Sequence, residues 1–269
     1  MTLDNFKKIV DECKHKVFQF ALGGRGDVDQ HENFEEILKY CVENNIVPNF
    51  TSSGLGFTDD IVGICKENCG AVAISYYRQK FTLGAIDMLL KAGVKTNIHY
   101  VLGNNSIDEA IEKLKNNDFP KGINAIIFLL HKPVGLGSEE NVLKIEDEKV
   151  KEFFELIDNG KFEFKIGFDS CTIPALVNLA KNINRDSFDT CEGARYSMYI
   201  TADMKALPCS FDNQDLKYAY DITNDTIQNA WDSEQFNEFR NHFNKSCNGC
   251  KDKESCLGRL PFAEKYSIM

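Results

Sequence analysis

Lys95 to Leu130, KTNIHYVLGNNSIDEAIEKLKNNDFPKGINAIIFLL, contains one complete structural unit. The apolar run from Lys95 to Val101 predicts a strand. Ile107, Ala110, Ile111 and Leu114 then recur at helical spacing, and Asn124 to Leu130 predicts a second strand. Strand, amphipathic helix and strand in succession is the pattern of parallel βα units. The same alternation extends outward on both sides. Short apolar runs occur at Val17 to Leu22, Ile46 to Phe50, Ala71 to Ser75 and Phe162 to Phe168. Helical stretches separate them, marked by Phe34, Ile37, Leu38 and Cys41, by Ile61, Ile64 and Cys65, and by Ile86, Leu89 and Leu90. Periodicity alone leaves two architectures open, a curled partial barrel and a doubly wound sheet. In both, functional residues collect in the loops after the carboxyl ends of the strands. Those loops begin at Gly23, Thr51, Ser75, Gly103, His131 and Asp169.

The chain has 269 residues, of which 43 % are hydrophobic, enough for one large or two small domains. It carries 31 Lys and Arg against 41 Asp and Glu, a net charge of −10 with no basic cluster, so a phosphate backbone would be repelled and nucleic acid is not an expected partner. No apolar run approaches the ~18 residues of a membrane span, and the opening MTLDNFKKIVDECKHK is charged and amphipathic, unlike a secretory signal. The expected location is the cytoplasm, with no membrane partner. There is no internal repeat beyond the βα period and no low-complexity linker.

After about Asn184 the pattern changes. Tyr196 to Ile200 and Lys205 to Cys209 predict a β-hairpin, and Thr226 to Trp231 and Ser233 to Phe243 predict helices that each begin at Ser or Thr. Trp231, Phe236, Phe239 and Phe243 are the expected core of this second unit. The division expected is therefore residues 1–184 and 185–269.

Five of the ten cysteines crowd into that second unit. Cys191 and Cys209 flank the hairpin, Cys247 and Cys250 form C-x-x-C, and Cys256 follows. A tight turn at Gly249 can aim the C-x-x-C sulfurs at one ion, and a hairpin with a cysteine at each end supplies a second pair. Four sulfurs suit either tetrahedral zinc or a 4Fe–4S cluster, and spacing alone does not choose.

The segments CEGARYSMYITADMKALPCSFD, Cys191 to Asp212, and CNGCKDKESCLG, Cys247 to Gly258, together resemble the auxiliary-cluster region of radical SAM enzymes that carry a C-terminal SPASM or Twitch domain. The βα portion resembles the same family at Gly23-Gly24. The resemblance implies an α/β protein: a partial (β/α)6 radical SAM-type barrel lacking its first strand, followed by a small cysteine-rich SPASM/Twitch-like domain. It implies a 4Fe–4S auxiliary cluster on Cys191, Cys209, Cys247 and Cys250, with Cys256 a substitute or a bystander. It places S-adenosylmethionine against Gly23, Gly24, Ser53, Ser75 and His131. It also implies a peptide or protein substrate modified through a 5′-deoxyadenosyl radical, and an electron donor as partner.

The family's C-x3-C-x2-C loop is not found here: Cys65 and Cys69 have the first spacing, but position 72 is Val. That pair is read as a helix-face cysteine and a helix-terminal turn. The expectation is a chain that lacks the first strand and cluster loop, binds S-adenosylmethionine less well for that reason, and by itself does no radical chemistry. The alternative of a different class is a peptide-binding scaffold with a structural zinc.

Ordinary explanations compete at several positions. Gly23-Gly24 can be a plain turn, Ser52 and Ser53 turn residues, Ser75 a strand-end hydroxyl bonded to its own backbone, and His131 a rim residue. Arg25-Gly26-Asp27 is read as coincidence, and neither GGRGDVD nor GLGFTDD completes G-x-G-x-x-G. Asp169 and Cys171, closing the last strand, are the candidate catalytic acid and thiol. The competing reading has Asp169 capping the helix that starts near Thr172 and Cys171 packed behind it. His15, His31, His99 and His242 share no ligand spacing and receive no role.

Overall fold

A computed structural model describes residues 1–187, 191–213 and 215–246. Helix α1 (Leu3–Cys13) precedes strand β1 (Gln19–Leu22). Then come α2 (Phe34–Glu43), β2 (Val47–Ser52), α3 (Asp59–Asn68), β3 (Val72–Ser75), α4 (Lys80–Lys91), β4 (Thr96–Leu102), α5 (Ile107–Asn116), β5 (Ala125–Leu130), α6 (Glu148–Asn159), β6 (Lys165–Phe168) and α7 (Ile173–Leu179). All pairings within this sheet are parallel, and the spatial order β1-β2-β3-β4-β5-β6 follows the chain.

That order decides between the two architectures. A doubly wound sheet needs a point where strand order reverses so that helices cover both faces. Crossovers of one hand between successive neighbours put every helix on the same face, and the sheet curls into a half-barrel with its other face turned inward.

The strands record this asymmetry residue by residue. In β4, Thr96, Ile98, Tyr100 and Leu102 are buried against the helices, whereas Asn97 and His99 are half-buried and Val101 is exposed. Phe50, Ile74, Ile98, Tyr100 and Phe128 from the strands pack with Leu38, Ile86, Leu89, Leu114 and Phe153 from the helices in one core. At the sheet's far side Phe128 meets Phe153 edge-on at 5.0 Å between ring centroids, an arrangement aromatic quadrupoles favour.

The second unit contains β7 (Tyr199–Ile200), β8 (Lys205–Leu207) and β9 (Tyr220–Asp221) in an antiparallel sheet, then α8 (Ile227–Asp232) and α9 (Glu234–Ser246). Thr226 Oγ1 accepts from Asn229 N at 3.1 Å and Ser233 Oγ from Phe236 N at 3.3 Å, so both helices start on hydroxyl caps. Phe236 and Phe239 are fully buried, as expected, whereas Trp231 is half-buried at the edge of this core; the side chain of Phe243 lies outside the described residues.

This small core extends beyond the C-terminal third. Phe6, Ile9, Val10 and Cys13 of α1 and Ile37 and Cys41 of α2 pack with Met204, Ala206, Tyr218 and Ile222. The Lys8 ammonium donates to the carbonyls of Ile222, Thr223 and Asp225 at 2.8, 3.0 and 3.1 Å. Glu12 Oε2 accepts from Ile227 N at 2.6 Å, placing a carboxylate at the start of α8. Helix α1 thus clamps the small unit to the half-barrel.

Candidate functional site

Because the six strands run the same way, their carboxyl ends form one rim, and each candidate loop lies on it. Asp27 Oδ1 accepts from Ser53 N at 2.7 Å, and Asp27 Oδ2 accepts the Ser53 hydroxyl. Asp27, the last member of the Arg-Gly-Asp tripeptide, therefore ties the first loop to the second. A Cβ added at Gly23, Gly24 or Gly26 would meet nothing within 4 Å, while Gly24 and Gly26 have φ +154° and +87°. Gly24 and Gly26 thus serve the backbone, and the open space around Gly23 and Gly24 leaves their backbone groups accessible.

The other rim residues divide by what their polar atoms touch. Ser52 Oγ accepts from Gly54 N at 2.9 Å and Ser53 Oγ from Leu55 N at 3.1 Å, both turn contacts. His131 Nε2 lies 3.0 Å from Ser138 O. A carbonyl only accepts, so Nε2 carries the proton, and His131 pins the loop that follows β5. The hydroxyl of Ser75 has no hydrogen-bond partner among the described residues, its own backbone included.

At the end of β6, Asp169 accepts from Lys132 Nζ at 2.5 Å and Leu130 N at 3.3 Å through Oδ2, and from the Thr172 hydroxyl at 2.8 Å through Oδ1. The capping contact is thus to a hydroxyl, not a backbone N–H, and Asp169 is also half of an ion pair. Cys171 is buried in the half-barrel core. Burial pushes its thiol up to about 12; Lys132 opposes this, and Asp169, Cys191 and Cys209 add smaller upward contributions.

Those last two couplings place Cys191 and Cys209, at the two ends of the hairpin, within electrostatic reach of Cys171, so the hairpin lies at the junction of the two units. Gly193 makes this approach possible: a Cβ there would lie 2.7 Å from Pro208 O and 3.7 Å from Cys191 Sγ. Met204, between β7 and β8, adopts φ +63° at the hairpin turn. Burial raises the Cys191 thiol and pushes Cys209 up to about 11, against N–H donors from Gly193 and Phe211 respectively. Neither is in a disulfide. Soft, secluded sulfurs with amide hydrogens directed at them fit a thiophilic metal centre, where coordination removes the thiol proton and second-sphere N–H groups stabilise the thiolate. Among the described residues no three ligand-type side chains converge on one ion position. Cys247, Cys250 and Cys256 lie outside the described residues.

Residues 191–251 match the family model of SPASM, an iron–sulfur cluster-binding domain. The match takes in Cys191, Cys209, Cys247 and Cys250 and ends before Cys256. No curated protein matches the sequence. Among solved structures, Streptococcus suis SuiB bound to S-adenosylmethionine superposes with a TM-score of 0.67 at 14 % identity, over 92 % of this chain and 63 % of that one. SuiB bound to precursor peptide SuiA gives 0.66 at 14 % identity, over 88 % and 59 %. Native anSMEcpe with bound AdoMet and Kp18Cys peptide gives 0.69 at 17 % identity, over 100 % and 83 %. The chain therefore spans less than two thirds of SuiB. At these identities the likeness is one of fold. Fold and domain match together define a radical SAM-type α/β half-barrel that carries a C-terminal SPASM domain.

Two features of the site escaped the sequence reading. His99 faces the inner surface of the half-barrel, where Nδ1 lies 3.4 Å from Thr51 Oγ1, and burial lowers its pKa. The signal was available in the alternation Asn97, His99, Val101, since a parallel strand covered on both faces would be apolar throughout. The other is Lys132, whose side chain is only 4 % exposed. It follows a strand and reads as a surface cation; its partner Asp169 is 37 residues away.

Proposed function

We propose that this chain is a radical SAM/SPASM-type protein acting on a peptide or protein. In this reading Cys191, Cys209, Cys247 and Cys250 hold one 4Fe–4S auxiliary cluster, with Cys256 outside the ligand set. Gly23, Gly24 and Ser75 offer their free polar groups to S-adenosylmethionine. Ser53 and His131 act on the same cofactor by holding the loops that form its walls. The cluster would supply an electron-transfer station, fed by an external electron donor, and S-adenosylmethionine the adenosyl group for radical chemistry. The Cys171 thiol, kept protonated by burial, is the barrel-side group able to give up hydrogen, with Asp169 beside it as the partner of Lys132.

The observation that carries this reading is the match of residues 191–251, with Cys191 and Cys209 at the two ends of the hairpin, to an iron–sulfur cluster-binding domain that follows the half-barrel. Peptide as the substrate class is supported by the bound peptides SuiA and Kp18Cys in the two similar folds. These 269 residues contain no C-x3-C-x2-C, so the chain by itself is expected to bind S-adenosylmethionine without cleaving it.

Anaerobic incubation with S-adenosylmethionine and a low-potential reductant tests this. Binding by equilibrium dialysis with no 5′-deoxyadenosine is the expected result. Release of 5′-deoxyadenosine from this chain alone contradicts the absence of cleavage. Failure to bind S-adenosylmethionine contradicts the cofactor assignment.

A further inference from the structure

Lys132 is a buried cation at the end of β5 whose ammonium reaches both the end of β6 and the cysteine hairpin. Its ammonium donates to Asp169 Oδ2 at 2.5 Å and to Leu130 O at 3.1 Å, and it stands 4.7 Å from the centroid of the Phe211 ring. Phe211 belongs to the turn that directs an N–H at the sulfur of Cys209. Phe211 stands two residues after Cys209, and Asp169 two residues before Cys171, so the ion pair lies between the barrel end and the hairpin end. Taking two charges out of water is costly, and well-packed apolar side chains of similar volume often serve stability as well or better. Stability is thus a weak reason for the pair, whereas its place beside the turn after Cys209 sets a fixed charge next to that cysteine.

We propose that Lys132 and Asp169 form an electrostatic control for the iron–sulfur site: the ammonium stabilises an added electron on a cluster held by Cys191 and Cys209, and the carboxylate sets how much of that charge the cluster feels. This rests on the iron–sulfur reading given above. Both residues are positioning residues, acting through the thiolates and not on substrate.

The test is a redox titration, followed by electron paramagnetic resonance, of the full chain reconstituted anaerobically with ferrous iron and sulfide. Lys132→Met leaves Asp169 uncompensated. The oxidised-to-reduced ratio at a fixed solution potential should rise about tenfold, equivalent to about 59 mV for a one-electron couple. Lys132→Arg should keep the wild-type midpoint, and the double variant K132M/D169L, with both charges gone, should return towards it. Lys132→Met with full iron and an unchanged midpoint overturns the proposal. So does equal loss of iron from all three variants, the mark of packing alone. Loss of iron from Lys132→Met only, with the other two variants loaded, supports it, because an unpaired carboxylate then repels the anionic centre. If the wild type takes up no iron and sulfide, the iron–sulfur reading itself fails, and this proposal with it.

Discussion

Cys13, Cys41 and Cys65, on helices α1 to α3, and Cys171, Cys191 and Cys209, at the junction of the two units, are all secluded thiols, but their surroundings differ. Burial pushes Cys13 up to about 11 and Cys41 up to about 12. Cys65 is raised by the hydrogen bond its thiol gives to Cys69, then by burial, and further by Asp29. Lys16 opposes the rise at Cys13 and the backbone N–H of Cys65 opposes it at its own sulfur, but the three side chains simply fill core. At the junction, burial acts in the same direction but amide hydrogens from Gly193 and Phe211 and the Lys132 ammonium oppose it. Seclusion alone makes a cysteine inert. Amide N–H groups of other residues, aimed at Cys191 and Cys209, are what set that pair apart.

The contrast can be broken most decisively in the metal. Replacing Cys247 and Cys250 together with Ala should remove nearly all iron from the reconstituted protein. Cys65→Ala should leave iron content unchanged and instead cost about 1 kcal/mol of unfolding free energy through lost packing. Iron retained by the first variant, or lost from the second, would erase the distinction between the two sets.

Next in size is Gly193→Ala, because the added methyl meets Pro208 O at 2.7 Å. Overpacking of this kind costs about 1–3 kcal/mol, and separation of Cys191 from Cys209 should lower iron uptake along with the urea midpoint. Gly23→Ala has open space around it and should leave both unchanged. Lys8→Met removes a charged donor from three carbonyls and is expected to cost about 1.5–3 kcal/mol, read in the same urea experiment with iron content preserved.

The smallest expected effect belongs to His99. Its pKa is lowered in the folded protein by burial, so on acidification the unfolded chain takes up the proton first, near the ordinary value of about 6.5. Stability is therefore lost as pH falls below that value and continues to fall until the folded-state pKa is reached. His99→Gln should flatten this part of the pH profile. A wild-type profile that is equally flat would show that His99 is solvated.

Most of the scaffold was legible because each strand is a short apolar run and each helix an amphipathic stretch. Strand ends were less so. β2 was expected to end at Phe50 and continues through Thr51 and Ser52, which pair with Ala73 and Ile74 of β3. β6 begins only at Lys165, because Phe162 and Phe164 stack on each other at 5.7 Å ahead of the strand. Strand order, which separates a half-barrel from a doubly wound sheet, is a tertiary property that no local pattern records. The cysteine pair was visible from spacing. Lys132 was not, since its burial depends on Asp169 and Phe211, both distant in sequence. Gly193 likewise looked like any loop glycine until Pro208 was placed against it.

Metal identity in anaerobically purified protein bears most directly on the claim that Cys191 and Cys209 anchor an iron–sulfur centre. Iron and acid-labile sulfide should be present in equal amounts, with broad visible absorption, and both should disappear when Cys191 and Cys209 are changed to Ala. Stoichiometric zinc without colour, or iron that survives the loss of both cysteines, would contradict it.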